Sequence, residues 1–218
     1  MTDSSPSAVC ARCHKTSSLC VCTDVVPLDN HITLLILQHP QEQDVELGTA
    51  HLTALHFKDA AVRIGLSWPS LAKALGRPAD PKHWATLYLG SVKPAALPVG
   101  QEIVALTRKG GVHPDQHGQL SNIQGVILLD GTWSQAKALW WRNPWLLKTK
   151  RIVLMPRQPS RYGRLRREAR REAISTLEAA ALLLSRLEDQ PKISEALHAS
   201  FGKLLDRYRA HKEAPLES

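Results

Sequence analysis

The sequence predicts an α/β fold: a mostly parallel sheet with helices on both faces, preceded by a small cysteine-rich module. Three observations predict it. Apolar runs of strand length alternate with helical stretches along the chain, the pattern of βαβ units. One such run, residues 125–129, passes through Asp130-Gly131-Thr132-Trp133 into a helix. Four cysteines, Cys10, Cys13, Cys20 and Cys22, fall within thirteen residues near the amino end.

The elements follow in order. Residues 32–37 form a strongly apolar strand that Gln38-His39-Pro40 ends. Residues 42–57 have helical spacing, with Val45, Leu52 and Leu55 among their apolar positions. Residues 60–64 read as a second strand, and Ser67-Trp68-Pro69 opens a short helix that stops at Gly76-Arg77-Pro78. Residues 85–89 are a third strand, 91–102 a proline- and alanine-rich loop, and 103–106 a further strand. Residues 108–122 carry Gly-Gly, His-Pro and His-Gly and read as an exposed loop. The strand at 125–129 leads into a helix through Trp141, broken by Asn143-Pro144. A strand over 151–155 and an arginine-rich stretch come next. Ser175-Thr176-Leu177-Glu178 is an S-x-x-E capping box that starts a helix over Thr176–Leu187. Residues 194–209 form a last amphipathic helix, and a polar tail begins at His211. A length of 218 residues fits one main domain with an appendage. The expected units are a cysteine module and linker at 1–30, the α/β domain at 31–210 and a tail at 211–218.

Composition excludes several classes. No apolar run reaches membrane-spanning length, and residues 1–8 lack the charged and apolar regions of a secretory leader, so a cytoplasmic protein is expected. No G-x-G-x-x-G follows the first strand and no G-x-x-x-x-G-K-[ST] occurs, which argues against dinucleotide and P-loop sites. Cytosolic thiols rarely form disulfides. The spacing C-x2-C-x6-C-x-C instead suits four thiolates around one tetrahedral Zn²⁺, with Arg12 and Lys15 offsetting their charge. Four thiolates leave no open coordination position, so that zinc is structural.

The charge is unevenly spread. The chain carries a net +8, yet residues 137–171 hold twelve Lys/Arg and one acid, Glu168, for +11, which leaves −3 elsewhere. Arg157, Arg161, Arg164, Arg166, Arg167, Arg170 and Arg171 make up the far end of this segment, without a lysine among them. Arginine binds phosphate bidentately and stacks on bases, so a nucleic acid is the expected partner, and charge alone does little to separate RNA from DNA.

Asp130 is the candidate catalytic acid. Side chains at the carboxyl end of a strand line the ligand crevice of an open α/β sheet. The same residues also have a plainer use: Asp-Gly is a common turn, and Thr132 with Gln135 makes a T-x-x-Q capping box. Trp140-Trp141 and Trp145 are candidates either for core packing or for stacking on bases.

Taken in order, the four cysteines, Leu37-Gln38-His39-Pro40, Thr49-Ala50, Asp130-Gly131-Thr132-Trp133, Tyr162 with the arginines after it, and Ser175-Thr176-Leu177-Glu178-Ala179 resemble the DTW-domain family of tRNA-uridine aminocarboxypropyltransferases. The resemblance covers Cys10 to about Leu187. It implies a SPOUT-like sheet with a trefoil knot near the carboxyl end. It also implies transfer of the 3-amino-3-carboxypropyl arm of S-adenosylmethionine to N3 of a tRNA uridine, releasing methylthioadenosine. On that reading Asp130 and Trp133 are the catalytic candidates. Gln38, His39, Leu129, Gly131, Thr132, Ser175, Thr176 and Glu178 are the donor-binding ones, with Gln38 and His39 toward the carboxylate of the donor's amino-acid arm. Glu178 either closes the capping box or binds the donor's ammonium. Two other readings are a non-catalytic zinc-containing RNA-binding protein and a SPOUT-type RNA methyltransferase.

Overall fold

The computed structural model describes residues 9–88, 100–163, 165 and 174–213. Six strands form one sheet: β1 (Thr33–Gln38), β2 (Ala60–Ile64), β3 (Trp84–Leu87), β4 (Ile103–Leu106), β5 (Gly125–Asp130) and β6 (Lys150–Leu154). Their order is β2-β1-β5-β3-β6-β4, parallel throughout except for β4, which pairs antiparallel with β6 at the edge. The helices are α1 (Ala50–Ala54), α2 (Leu71–Leu75), α3 (Gln116–Leu120), α4 (Trp133–Arg142), α5 (Thr176–Leu187) and α6 (Pro191–Glu213).

Both faces of the sheet are covered, as a buried parallel sheet requires. Side chains alternate along β1 and β5. Leu34, Ile36, Val126 and Leu128 pack with α1, α5, α6 and with Leu19, Val21 and Val25 of the cysteine module. Leu35, Leu37 and Ile127 pack on the other face, against α2, α4 and the 3₁₀ segment Pro144–Lys148. This double burial is why β1 and β5 read as unbroken apolar runs.

The strand order creates a switch point. The chain leaves β1 toward α1 on one face and then β2 on one side. It leaves β5 toward α4 on the other face and then β6 on the other side. Neighbouring connections that part in this way open a crevice at the carboxyl ends of the two strands. Gln38 and Asp130, the last residues of β1 and β5, are register partners there.

Several expectations shift. Of the helix expected over 42–57, only Ala50–Ala54 is α-helical, after a 3₁₀ turn at Pro40–Glu42. The carbonyls that would continue it are taken: Val45 O accepts from Lys15 Nζ at 2.7 Å and from Gly48 N at 2.8 Å, and Leu47 O accepts from Tyr162 Oη at 2.6 Å. The stretch expected as a loop at 108–122 contains α3, capped by Asp115, whose Oδ1 accepts from Gly118 N at 2.8 Å. The short helix starts at Leu71 behind the Ser70 cap, later than Ser67 suggested. The last helix begins at Pro191 and runs to Glu213, beyond both expected ends. Part of the 91–102 loop lies outside the described residues.

Candidate active site at the switch point

Asp130 is buried, 7% exposed, although it ends a strand. Three groups from two separate parts of the chain hold it. Gln38 Nε2 donates to its Oδ2 at 2.9 Å, and the Thr176 hydroxyl, in the first turn of α5, donates to its Oδ1. His39 N–H donates to its backbone carbonyl at 2.9 Å. A carboxylate tied at both oxygens has a fixed plane, yet each oxygen keeps a lone pair for a further donor.

Gln38 carries a second signal. Its Nε2 serves Asp130, so the amide's other atom, Oε1, is an acceptor, and Oε1 is buried without a partner among the described residues. An unpaired buried acceptor is costly and calls for an explanation. It suits an N–H donor better than the carboxylate toward which the sequence reading directed Gln38.

Gly131 lets two segments close over the site. A Cβ at this position would lie 2.8 Å from Gln135 Cβ and 3.4 Å from His39 Cβ. The T-x-x-Q box forms: Thr132 N donates to Gln135 Oε1 at 2.6 Å and Gln135 N to Thr132 Oγ1 at 3.5 Å. Gln135 Nε2 then reaches Gln41 Oε1 at 3.1 Å, while Gln41 N donates to His39 Nδ1 at 3.3 Å, so this box also braces the turn after β1. Trp133 is half-buried at the start of α4, and Leu129 packs into the core beneath.

The second box is buried. Glu178 Oε2 accepts from Ser175 N at 2.8 Å, Ser175 Oγ at 2.8 Å and Ser160 Oγ at 2.7 Å, and Oε1 accepts from Arg161 N at 2.7 Å. These bonds engage both oxygens in capping α5 and pinning the loop after β6.

Two neighbours escaped sequence reasoning as site residues. Thr49, 1% exposed, accepts from Leu177 N at 3.3 Å and so fixes the amino end of α5. His51 feels the charge of Asp130 and stacks on His14 of the cysteine module, ring centres 4.0 Å apart; burial lowers its pKa. The Thr49-Ala50 piece of the family resemblance was the signal for this corner.

The four cysteine sulfurs lie within 4.8 Å of one another, and none is in a disulfide. Cys13–Cys20 and Cys10–Cys22 sulfurs are 3.7 and 3.9 Å apart. Bonds of about 2.3 Å to a tetrahedral ion place sulfurs about 3.8 Å apart, so the cluster fits a metal. The N–H groups of Cys13 and Arg12 hold the Cys10 thiol down to about 6, whereas burial pushes Cys13 and Cys22 up. The module is bound to α6: Arg207 donates to Cys20 O, and Lys203 meets Asp24 at 2.6 Å.

Of the arginines expected to bind RNA, Arg157 pairs with Glu102 at 3.5 Å and Arg161 donates to His198 O at 2.7 Å. Arg164, Arg166, Arg167, Arg170 and Arg171 lie outside the described residues. No helix among the described residues is long and apolar enough to cross a membrane.

The DTW domain family matches residues 7–209. The chain is 32% identical over 192 residues to tRNA-uridine aminocarboxypropyltransferase 2 of Mus musculus, and 29% identical over 196 residues to the protein of that name in Macaca fascicularis. Each match covers 86% of this chain and 59% of the relative, so the chain spans about three fifths of their length. The Drosophila melanogaster protein of the same name is 25% identical over 190 residues, covering 86% of this chain and 70% of its own. No solved structure matches.

Proposed function

The chain belongs to the DTW domain family, and from that premise we propose that it is a tRNA-modifying transferase. It moves the 3-amino-3-carboxypropyl group of S-adenosylmethionine to N3 of a tRNA uridine and releases methylthioadenosine, in the cytoplasm. The observation that carries this reading is the Asp130 carboxylate, buried at the switch point and held at both oxygens by Gln38 and Thr176.

The donor supplies a sulfonium whose γ-carbon is open to attack and whose charge is neutralised as the C–S bond breaks. N3 bonds that carbon, the C–S electron pair returns to sulfur, and the imide proton passes to Asp130. A base at this position matters because the uridine imide is a weak acid. Gln38 and Thr176 orient the carboxylate for that transfer. Gln38 Oε1, beside it and unpaired, offers an acceptor for the donor's ammonium. With Glu178 engaged in the α5 box, Gln38 is the better candidate for that contact. Gly131, Thr132, Trp133, Leu129, His39 and Ser175 shape the surrounding wall. The arginine stretch contributes to binding tRNA.

The ion in the cysteine module is zinc, held by Cys10, Cys13, Cys20 and Cys22 in a structural role. Leu19 and Val21, between the ligands and in the main core, make the module part of the domain's packing. The reading includes a SPOUT-like sheet with a trefoil knot near the carboxyl end, which the family resemblance implies.

The test is incubation of the protein with tRNA and S-adenosylmethionine, followed by mass spectrometry of the nucleosides and of the by-product. An aminocarboxypropyl mass gain with methylthioadenosine is expected. No gain on any tRNA sinks the transferase, and S-adenosylhomocysteine in its place assigns a methyltransferase. Asp130→Ala is expected to keep donor affinity and lose about 10²–10⁴-fold in turnover. Equal loss of both makes Asp130 a structural cap. Elemental analysis is expected to give one zinc per chain, and a value near zero refutes the zinc site.

A further inference from the structure

The three tryptophans grouped near the end of α4 part company in the structure. Trp140 is 9% exposed, edge-on to Tyr88, and Trp145 is 6% exposed and donates from Nε1 to Trp68 O at 2.9 Å. Trp141 is 73% exposed. An indole left in water contributes little to the core that its neighbours complete.

Its surroundings are cationic. Ser134, Lys137 and Trp141 follow one another at i, i+3 and i+7 on the solvent face of α4, opposite the buried Ala136, Leu139 and Trp140. Arg142 and Lys148 are exposed nearby in the chain, and among the described residues Lys137, Arg142 and Lys148 meet no carboxylate. The sequence has no acid between Asp130 and Glu168. Other cations of this segment are committed inward: Arg151 lies over the rings of Tyr88 and Trp140 and donates to Arg108 O, and Lys150 donates to Gln119 O. The helix starts beside Asp130, and the eight residue steps from Trp133 to Trp141 rise about 12 Å.

We propose that the exposed face of α4 is an RNA-binding ledge, with Trp141 stacking on an unpaired base, and Lys137 and Arg142 of the same helix and Lys148 of the 3₁₀ segment after it meeting the flanking phosphates. A flat aromatic ring beside free cations is the arrangement that binds single-stranded nucleic acid. A second copy of this chain fits worse. An isologous contact through this face sets these cations against their own copies. The inference rests on the reading of the chain as acting on tRNA, and it adds where a strand leaving the site is gripped.

The experiment measures tRNA affinity of the full chain at several salt concentrations, for the unaltered protein and for Trp141→Ala, Trp141→Phe, Arg142→Gln and Lys148→Gln. Trp141→Ala is expected to weaken binding about tenfold or more with the salt slope unchanged, and Trp141→Phe to restore most of it. Arg142→Gln and Lys148→Gln are each expected to lower the slope by about one. Donor affinity and the urea midpoint stay unchanged in all four. Affinity within twofold of the unaltered protein in Trp141→Ala overturns the ledge. So does a change of oligomeric state with tRNA affinity intact, which makes the face a protein interface. Failure of the unaltered protein to bind any tRNA overturns the tRNA reading itself.

Discussion

Two helices begin beside Asp130, one on each face of the sheet, and both open with a capping box. At α4 the box is Thr132 with Gln135; at α5 it is Ser175 with Glu178. The local logic is the same, since the cap's side chain and the third helical residue satisfy each other's backbone. The surroundings differ. Thr132 is exposed, and Gln135 adds one bond to a neighbouring turn. Ser175 and Glu178 are 4% and 6% exposed, and Glu178 also holds Ser160 and the backbone of Arg161. A capping box is thus a local device in one place and a tertiary lock in the other, and burial decides which.

The largest expected effect tests that difference. Glu178→Ala removes the acceptor of four hydrogen bonds and strands the buried Ser175 N–H and hydroxyl away from water. A cost of about 3–5 kcal/mol is expected. Gln135→Ala leaves groups that water reaches and is expected to cost less than about 1 kcal/mol. Urea midpoints at unchanged slope measure both. Similar costs for the two variants break the comparison.

The second test uses acid. On the face with α1, α5 and α6, burial lowers the pKa of His51, of His198 and, to about 4, of His56. His56 is 2% exposed, and neither ring nitrogen has a partner among the described residues. Between pH 6.5 and about 4 it is neutral in the folded chain and protonated in the unfolded one. The unfolded state then binds more protons, so stability falls as pH falls through this window, by up to about 3 kcal/mol from His56. His56→Leu is expected to flatten the fall. An equally steep fall in His56→Leu shows that acid acts elsewhere.

These contrasts also mark what was legible in the sequence. Both capping boxes, the strands and the cysteine cluster are local patterns, and each forms where it was expected. The pairing of Gln38 with Asp130 depends on β5 lying beside β1, a register that no local pattern specifies. The helix expected over 42–57 failed for a related reason: Lys15 and Tyr162, distant in sequence, take the carbonyls of Val45 and Leu47. Periodicity registers apolar spacing, and it does not register a side chain arriving from another element. The three tryptophans were alike by spacing too, and only the packing of Tyr88 and Trp68 separates Trp141 from the others.

The smallest expected effect is the most discriminating for chemistry. Ser175→Ala is expected to cost about 1–2 kcal/mol, because the buried N–H of Glu178 loses its acceptor. Thr132→Ala is expected to cost about 0.5–1 kcal/mol, since its bond to Gln135 N is already 3.5 Å long and water can replace it. Thr132 also borders Asp130, so a stability change this small leaves room to measure a role in binding. If Thr132 only caps α4, its alanine variant keeps the donor affinity of the unaltered protein within about twofold. A tenfold loss of donor affinity, equivalent to about 1.4 kcal/mol, exceeds what the cap contributes and makes the hydroxyl a donor contact. That outcome would turn the exposed box from a local device into part of the site, and the asymmetry between the two helix starts would then be one of function as well as burial.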